Sequence, residues 1–584
     1  MLMADRVRNA PRLLRSSETG LLVLAVGVGA GAGLGAIAFR WLIQTFTLVL
    51  SGHDDYSAAG HLGNPHVAWA GRYFVVAAPV VAGLLYGPLV HLFAREARGH
   101  GVPEVMFAVA RRGGRIAPQV AGVKALASAL CIGGGGSVGR EGPIVQIGAA
   151  LGSTLGGLVR VPENRRRVLV ACGAAGGIAA TFNAPLAGVF FAMELILSDF
   201  AAQSFGMVVL ASVTASVIGR AALGNDPFLD LPAFSVHHVQ EYLLFALLGV
   251  LAGFAGVGFT RVLYAIEDLC DWAWRGPEWL RPAVGGVLLG GLLLVLPQMY
   301  GVGYPVLGTS VAGGYGIAFL LLLMVGKAVA TSLTIGIGGS GGVFAPSLFI
   351  GAMLGAAFGQ GLGLLAPDLV GPSGAYALIG MGAVFAGAAR APITAVIIMF
   401  ELTGEYTIIL PLMVAIVLAT GVSHLLTGDT IYTLKLRRRG VDLSTTPAQH
   451  RLQTTTVAEV MTPVGVAVPE DTRLPDLVPM LQHAFHGQLP IVSPTGAYRG
   501  SVTARSVAEA LSQEDGATRC AEDVAEWPTD VSPGQSLDEA MVALETSASP
   551  AVPVLDAAAR LVGWLDAEAL LGPLQGLPVA ADPK

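Results

Sequence analysis

The chain has 584 residues, 53% hydrophobic and only 13% charged, with a formal net charge of −6. Soluble domains carry about 25% charged residues, so this is the composition of a membrane protein; the small net charge says little about partners, and nucleic acid is not expected as one. Cys131, Cys172, Cys270 and Cys520 stand far apart, with neither zinc nor redox spacing, so no metal site and no disulfide framework can be read from them.

Residues 1–20 form a cytoplasmic segment, with Arg6, Arg8, Arg12 and Arg15 ahead of an apolar run. An Ala-x-Ala at Ala36 to Ala38 would suit a signal peptide, but the run continues to Leu50, which fits a retained first membrane helix better. Leu21 to Leu50 exceeds the ~20 residues a helix needs to cross, so it is expected to tilt. Ser51 to Ala70 is a polar loop, and Phe74 to Leu92 crosses back. The basic segment from Arg95 to Arg115 holds Gly99-His100-Gly101-Val102-Pro103 and belongs on the cytoplasmic face. Leu126 to Ile132, Ile144 to Leu158 and Val168 to Leu197 are apolar but interrupted, with Arg165 to Arg167 marking a further inside loop. Broken helices survive in lipid only where their ends are buried in protein or line a cavity. Phe205 to Ile218 and Tyr242 to Phe259 flank an external or lipid-surface loop, Asn225 to Val236. Asp268, Trp272 and Trp274 suggest an interfacial belt before Leu280 to Leu296 crosses again. Ile317 to Ile337, Gly342 to Leu364, Ala375 to Phe400 and Ile408 to Leu425 complete the apolar part. Lys435 and Arg437 to Arg439 then hold the last helix on the inside, which makes both chain ends cytoplasmic.

One carboxylate stands out. Gly139-Arg140-Glu141-Gly142-Pro143 follows Gly133 to Gly136 and Ser137 within an otherwise apolar region. An ionised group in hydrocarbon costs several kcal/mol, so by default it faces a pathway or a partner. Pro143 can open a helix, which puts Glu141 just ahead of an N-terminus where free N–H groups favour negative charge. Such a site suits an anion, and Glu141 can occupy it itself. A plainer reading pairs Arg140 with Glu141 to tuck a re-entrant loop in place.

The chain also repeats itself. Residues 139–148 match 342–351, with Pro143 opposite Pro346, and Gly152 and Gly156 opposite Gly355 and Gly359. Asn183-Ala184-Pro185 matches Arg390-Ala391-Pro392, and both copies run down to a glutamate, Glu194 and Glu401, read as buried capping or packing carboxylates. Two such halves are what a transporter built from repeats looks like, its site at their interface. The glycine-rich stretch is neither a dinucleotide fingerprint nor a Walker loop, and an enzyme is not expected.

After Gly440 the composition shifts. Residues 437–455 read as a linker, and 456–515 and 516–574 as two similar soluble units, each strand–helix–strand–strand–helix in outline. The first has a strand over Val464 to Val468 and a helix over Leu474 to Phe485; the second has a helix over Leu537 to Leu544. Two readings stay open: a dimerising cap, or a nucleotide sensor with Thr503 on phosphate or ribose and Asp566 on ribose hydroxyls.

Taken together, Gly99-His100-Gly101-Val102-Pro103, Gly139-Arg140-Glu141-Gly142-Pro143, Gly342-Val343-Phe344-Ala345-Pro346 and a tyrosine near the end of the last membrane helix, Tyr432, resemble the CLC family of chloride channels and chloride/proton antiporters. The resemblance covers the whole chain, the tail resembling a pair of CBS domains. It implies an all-α polytopic membrane domain over 21–436, with inverted repeats of tilted and broken helices (21–220 and 240–432), followed by a small α/β tandem CBS domain. It also implies a homodimer in an inner or plasma membrane, one chloride pathway per subunit, no required cofactor and adenine nucleotide as a ligand class for the tail. The anion would be held by backbone and side chains of His100, Gly101 and Val102, of Gly139, Arg140 and Gly142, of Val343, Phe344 and Ala345, and by Tyr432. Glu141 matches the gating and proton-coupling glutamate.

Two departures qualify the resemblance. The family's usual serine is His100, whose imidazole can still donate. Leu195 stands where many exchangers carry a proton-relay glutamate, which favours a channel or an uncoupled transporter. Exchange gated by Glu141 is the preferred expectation, with passive chloride conduction as the alternative.

Overall fold

The computed structural model describes residues 17–224, 240–367, 371–443, 447–484, 487–547 and 550–575. Arg6 to Arg15 and the loop from Asn225 to Val236 lie outside the described residues. The chain divides into two compact units, Met1–Val441 and Asp442–Lys584.

Among the described residues, the elements of the first unit are all helices. Its first half comprises α1 (Glu18–Ser51), α2 (Phe74–Phe93), α3 (Val102–Arg111), α4 (Gln119–Gly133), α5 (Glu141–Val159), α6 (Glu163–Phe182), α7 (Pro185–Phe191, running into a π-helical turn, Ala192–Leu197) and α8 (Ala202–Leu223). The second half answers helix for helix: α9 (Glu241–Ala273), α10 (Arg281–Val295), α11 (Tyr304–Val311), α12 (Ile317–Gly336), α13 (Phe344–Leu365), α14 (Ser373–Ala389), α15 (Pro392–Thr403) and α16 (Ile409–Leu426). Among the described residues, eight helices are long and apolar enough to cross a membrane. The protein is a multi-pass membrane protein.

The halves meet reciprocally. Gly139 N–H donates to the Gly342 carbonyl at 2.7 Å, and Gly342 N–H donates to the Gly139 carbonyl at 2.6 Å. Glu401 at the end of α15 accepts from Leu186 and Ala187 N–H at 2.9 and 2.7 Å, capping α7. Glu194 beyond α7 accepts from Ile393 and Thr394 N–H at 3.1 and 2.8 Å, capping α15. Exchanged contacts of this kind are what a two-fold relation between halves produces. Both glutamates are half-buried. They cap, as expected, but the helix of the other half.

Several expected spans change. Ala375 to Phe400 is two helices, because Arg390 takes φ +52° and Ala391, ahead of Pro392, is pushed out of the helical region. Asn183 ends α6 in the same way at φ +57° ahead of Pro185, which breaks Val168 to Leu197. Arg165 to Arg167, expected in a loop, lie in the first turns of α6, which starts at Glu163. The helix expected to end at Phe259 continues to Ala273. The loop from Ser51 to Ala70 contains a short helix, Tyr56–Ala59, and the start of a 3-10 segment, Pro65–Tyr73.

Glycine lets paired helices touch. A Cβ on Gly148 of α5 would collide with the Gly173 carbonyl of α6, and a Cβ on Gly173 with the Gly148 carbonyl. Gly351 of α13 and Gly380 of α14 stand in the same mutual relation. Small residues that allow backbone-to-backbone approach are how helices associate without a hydrophobic driving force between them.

The second unit holds two three-stranded sheets. β1 (Thr462–Pro463), β2 (Val468–Pro469), β3 (Gln488–Val492), β4 (Tyr498–Thr503), β5 (Ala551–Leu555) and β6 (Leu561–Asp566) pair in the orders β2-β3-β4 and β1-β6-β5. The strand expected over Val464 to Val468 is reduced to its last residue plus Pro469. Thr462 and Pro463, just before it, pair with Trp564 and Gly563 in the other sheet. Leu452 and Val457 accordingly pack in one core with Leu537, Val552 and Leu565. Within the tail, the helix expected over Leu474 to Phe485 ends at Leu481, Phe485 lying outside the described residues, and the helix expected to end at Leu544 extends to Thr546.

Gly351→Ala should overpack the α13–α14 contact at a cost of about 1–3 kcal/mol. The expected readout is a lower midpoint for loss of the monodisperse chromatographic peak on heating in detergent. An unchanged midpoint would show that the two helices can part without cost.

Candidate functional site

Four helix N-termini converge near the middle of the first unit, each introduced by glycine. Gly101, at φ +84°, precedes α3, and Gly303, at φ +87°, precedes α11. A Cβ on Gly101 would lie 2.7 Å from the Gly142 carbonyl oxygen, and one on Gly142 would lie 3.0 Å from Gly342 Cα and closer still to the His100 carbonyl. The segments carrying His100, Gly101 and Val102, those carrying Gly139, Arg140, Glu141 and Gly142, and those carrying Val343, Phe344 and Ala345 are therefore packed backbone to backbone.

Glu141 is the first residue of α5 and is 1% exposed. The Tyr304 hydroxyl donates to its Oε1 at 2.7 Å, and Ala345 N–H, in the first turn of α13, donates to its Oε2 at 3.4 Å. The carboxylate thus sits on the free N–H end of a helix that belongs to the other half. The Arg140 guanidinium lies 5.0 Å from the Tyr304 ring centroid and 5.6 Å from that of Phe182, and reaches the Thr181 carbonyl at 3.5 Å. Phe344 is fixed edge-on against Phe385, with ring centroids 4.5 Å apart.

His100 is 3% exposed, and neither ring nitrogen has a hydrogen-bond partner among the described residues. Its ring centroid lies 6.2 Å from that of Tyr264. Tyr432 follows α16, which ends at Leu426, and is the N-cap residue of the short helix Thr433–Arg437. It is 1% exposed. The loop that carries it is tied down by Ile431, whose N–H donates to the Ala388 carbonyl at 2.9 Å and whose carbonyl accepts from Tyr264 at 2.7 Å.

Two buried lysines brace the entry loops. Lys124 of α4 donates to the Ala97 and Gly99 carbonyls at 2.9 and 2.8 Å. Lys327, the corresponding residue of α12, donates to the Gly301 and Val302 carbonyls at 3.0 and 2.9 Å. Sequence reasoning missed Tyr304. The signal was present: Gly301-Val302-Gly303-Tyr304-Pro305 matches Gly99-His100-Gly101-Val102-Pro103 in both glycines and in proline.

In the second unit, Thr503 and Asp566 end β4 and β6 and cap the helices that follow. Thr503 Oγ1 accepts from Ser506 N–H at 3.1 Å and donates to Glu526 at 3.2 Å; Asp566 Oδ1 accepts from Ala569 N–H at 2.7 Å. Burial pushes the Tyr498 phenol up to about 12, so it stays a neutral partner for Ser501 Oγ at 2.7 Å.

The family model described as "Voltage gated chloride channel" matches residues 82–424, more than half of the chain. The chain belongs to the CLC family. The CBS domain model matches residues 457–513, so this CLC protein carries its CBS pair behind the membrane unit. The H(+)/Cl(-) exchange transporter ClcA of Vibrio parahaemolyticus is 38% identical over 361 residues, 60% of this chain and 76% of that protein. A ClcB-like protein of Ralstonia nicotianae is 33% identical over 413 residues, 70% of this chain and 94% of that protein. The crystal structure of a slow cyanobacterial Cl−/H+ antiporter has a TM-score of 0.63 at 27% identity, covering 73% of this chain and 98% of the antiporter. A eukaryotic CLC transporter shares the fold at a TM-score of 0.62 and 22% identity, over 94% of this chain and 97% of its own.

Removing the Asp566 cap should cost about 1 kcal/mol. In the full-length protein, Asp566→Ala should therefore speed limited proteolysis of the tail several-fold while leaving the membrane unit's cleavage pattern intact. Equal cleavage rates would show that the cap contributes nothing to the tail.

Proposed function

We propose that this CLC protein exchanges chloride for protons across the bilayer, with Glu141 as the gate. The observation that carries the reading is the Glu141 carboxylate itself, buried against the Ala345 N–H in the first turn of α13 where the glycine loops of both halves meet. An anion can take that place only when the carboxylate leaves, and protonation removes the charge that holds it there. Neutral N–H dipoles suit a weakly hydrated anion, because they replace its water without trapping it as a full positive charge would. The inner part of the pathway is then lined by His100, the N–H groups about Phe344, and Tyr432. The protein works as a homodimer with one pathway per subunit and both termini in the cytoplasm. The CBS pair serves regulation, with adenine nucleotide the ligand class, Thr503 its phosphate or ribose contact and Asp566 the acceptor for ribose hydroxyls.

A second reading, uncoupled chloride conduction, has its own observation. Leu195 is 7% exposed beside Glu194, and the Glu194 carboxylate is occupied by two N–H groups and the Thr394 hydroxyl. An inward proton route through this turn would have to run through water.

Purified protein in sealed liposomes, with a chloride gradient and a potassium–valinomycin clamp, separates the readings. Exchange predicts uphill proton movement in the wild type and its loss in Glu141→Gln and Glu141→Ala, with chloride flux retained in both. Chloride flux without proton movement in the wild type would leave Glu141 as a gate alone. No chloride flux in any variant would refute both readings.

A further inference from the structure

The loops that open α3 and α11 are twins. Each has a left-handed glycine followed by a residue and a proline, and each hangs from a buried lysine that takes two of its carbonyls. The first loop contributes His100, the second Tyr304. The Tyr304 hydroxyl is the shorter of the two hydrogen bonds to the Glu141 carboxylate, at 2.7 Å against 3.4 Å for Ala345 N–H. Tyr304 also faces a cavity of about 300 Å³, which it lines together with Arg40, Asp54, Asp55 and Arg140. It therefore stands between that cavity and the carboxylate, with the Arg140 guanidinium over its ring.

We propose that Tyr304 is the positioning residue that latches the Glu141 gate shut. An O–H donor to a carboxylate makes a bond about twice as strong as one to a neutral oxygen. The latch therefore favours Glu141 as carboxylate in the closed place and slackens once the carboxyl is protonated. Ala345 N–H holds the same group more weakly by geometry, and it also points where an anion would sit. Tyr304 offers its hydroxyl from the cavity side, so it resists opening without occupying the anion's place. In this arrangement the second half supplies the holder of the gate, Tyr304, at the position where the first half has Val102.

The inference rests on the exchange reading, and the test keeps the two apart. Chloride and proton fluxes are measured in the same liposomes for wild type, Tyr304→Phe, Glu141→Gln and the double variant. Loss of the latch should raise chloride flux on the order of 10-fold, the scale of one hydrogen bond to a charged group, and lower the protons moved per chloride. In the Glu141→Gln background the same substitution should change nothing, since no carboxylate remains to be held. Equal flux ratios for wild type and Tyr304→Phe, or the same fold-change in both backgrounds, would overturn the latch even if wild type and Glu141→Gln behave as an exchanger and its uncoupled form. If Tyr304→Phe does not yield a monodisperse protein, a ring-fluorinated tyrosine at 304 keeps shape and sharpens the hydroxyl as a donor. It should slow chloride flux with the proton ratio intact, and faster or unchanged flux would count against the latch.

Discussion

Everything in the membrane unit depends on satisfying backbone groups where no water reaches. Helices that stop inside the protein leave N–H and C=O groups unpaired at their ends, each costly to bury alone. The molecule meets this demand by making the two halves serve one another. Gly139 and Gly342 exchange both of their peptide hydrogen bonds, Glu401 takes the first N–H groups of α7, and Glu194 takes those of α15. Neither half could bury its broken helices without the other.

The interior charges follow the same logic. Lys124 and Lys327 are fully buried, and the amino group of each is spent on two carbonyls of a glycine loop. Hydrogen bonds to charged groups contribute roughly 1.5–3 kcal/mol each, enough to fix loops whose left-handed glycines would otherwise cost entropy. Rigid loops are what allow a site to be built from backbone. The glycines that bring Gly101, Gly142 and Gly342 within touching distance leave no room for a side chain to fill the junction.

Much of this was legible from residue order, for a physical reason. Glycine and proline have few alternative uses inside apolar helices, so Gly139 to Pro143 and Gly342 to Pro346 announce backbone approach and helix starts directly. The break at Arg390 was hidden because hydropathy averages over it; only the left-handed residue ahead of an alanine and Pro392 ends the helix. The twin loop at Gly301 to Pro305 was hidden because Tyr304 replaces Val102, and a tyrosine among apolar residues reads as packing. The pairing of Thr462 and Pro463 with β6 left no trace, since two residues show no alternation. Which nitrogen or hydroxyl meets Glu141 depends on contacts some two hundred positions away, and no local pattern encodes that.

Glu141, Glu194 and Glu401 differ in how firmly they are held, and the difference matches the part each plays in the fold. Glu194 accepts from two N–H groups and a hydroxyl, all within 3.1 Å, and Glu401 from two N–H groups within 2.9 Å. Both cap helices of the opposite half. Glu141 has one hydroxyl at 2.7 Å and one N–H at 3.4 Å, the latter on a helix end that an anion could equally use. A carboxylate held by three short bonds would not leave when protonated, because the helix it caps would lose its partners. A carboxylate held by one side chain and one long contact can leave and return. The gate role proposed for Glu141 is thus consistent with its having been given less to hold.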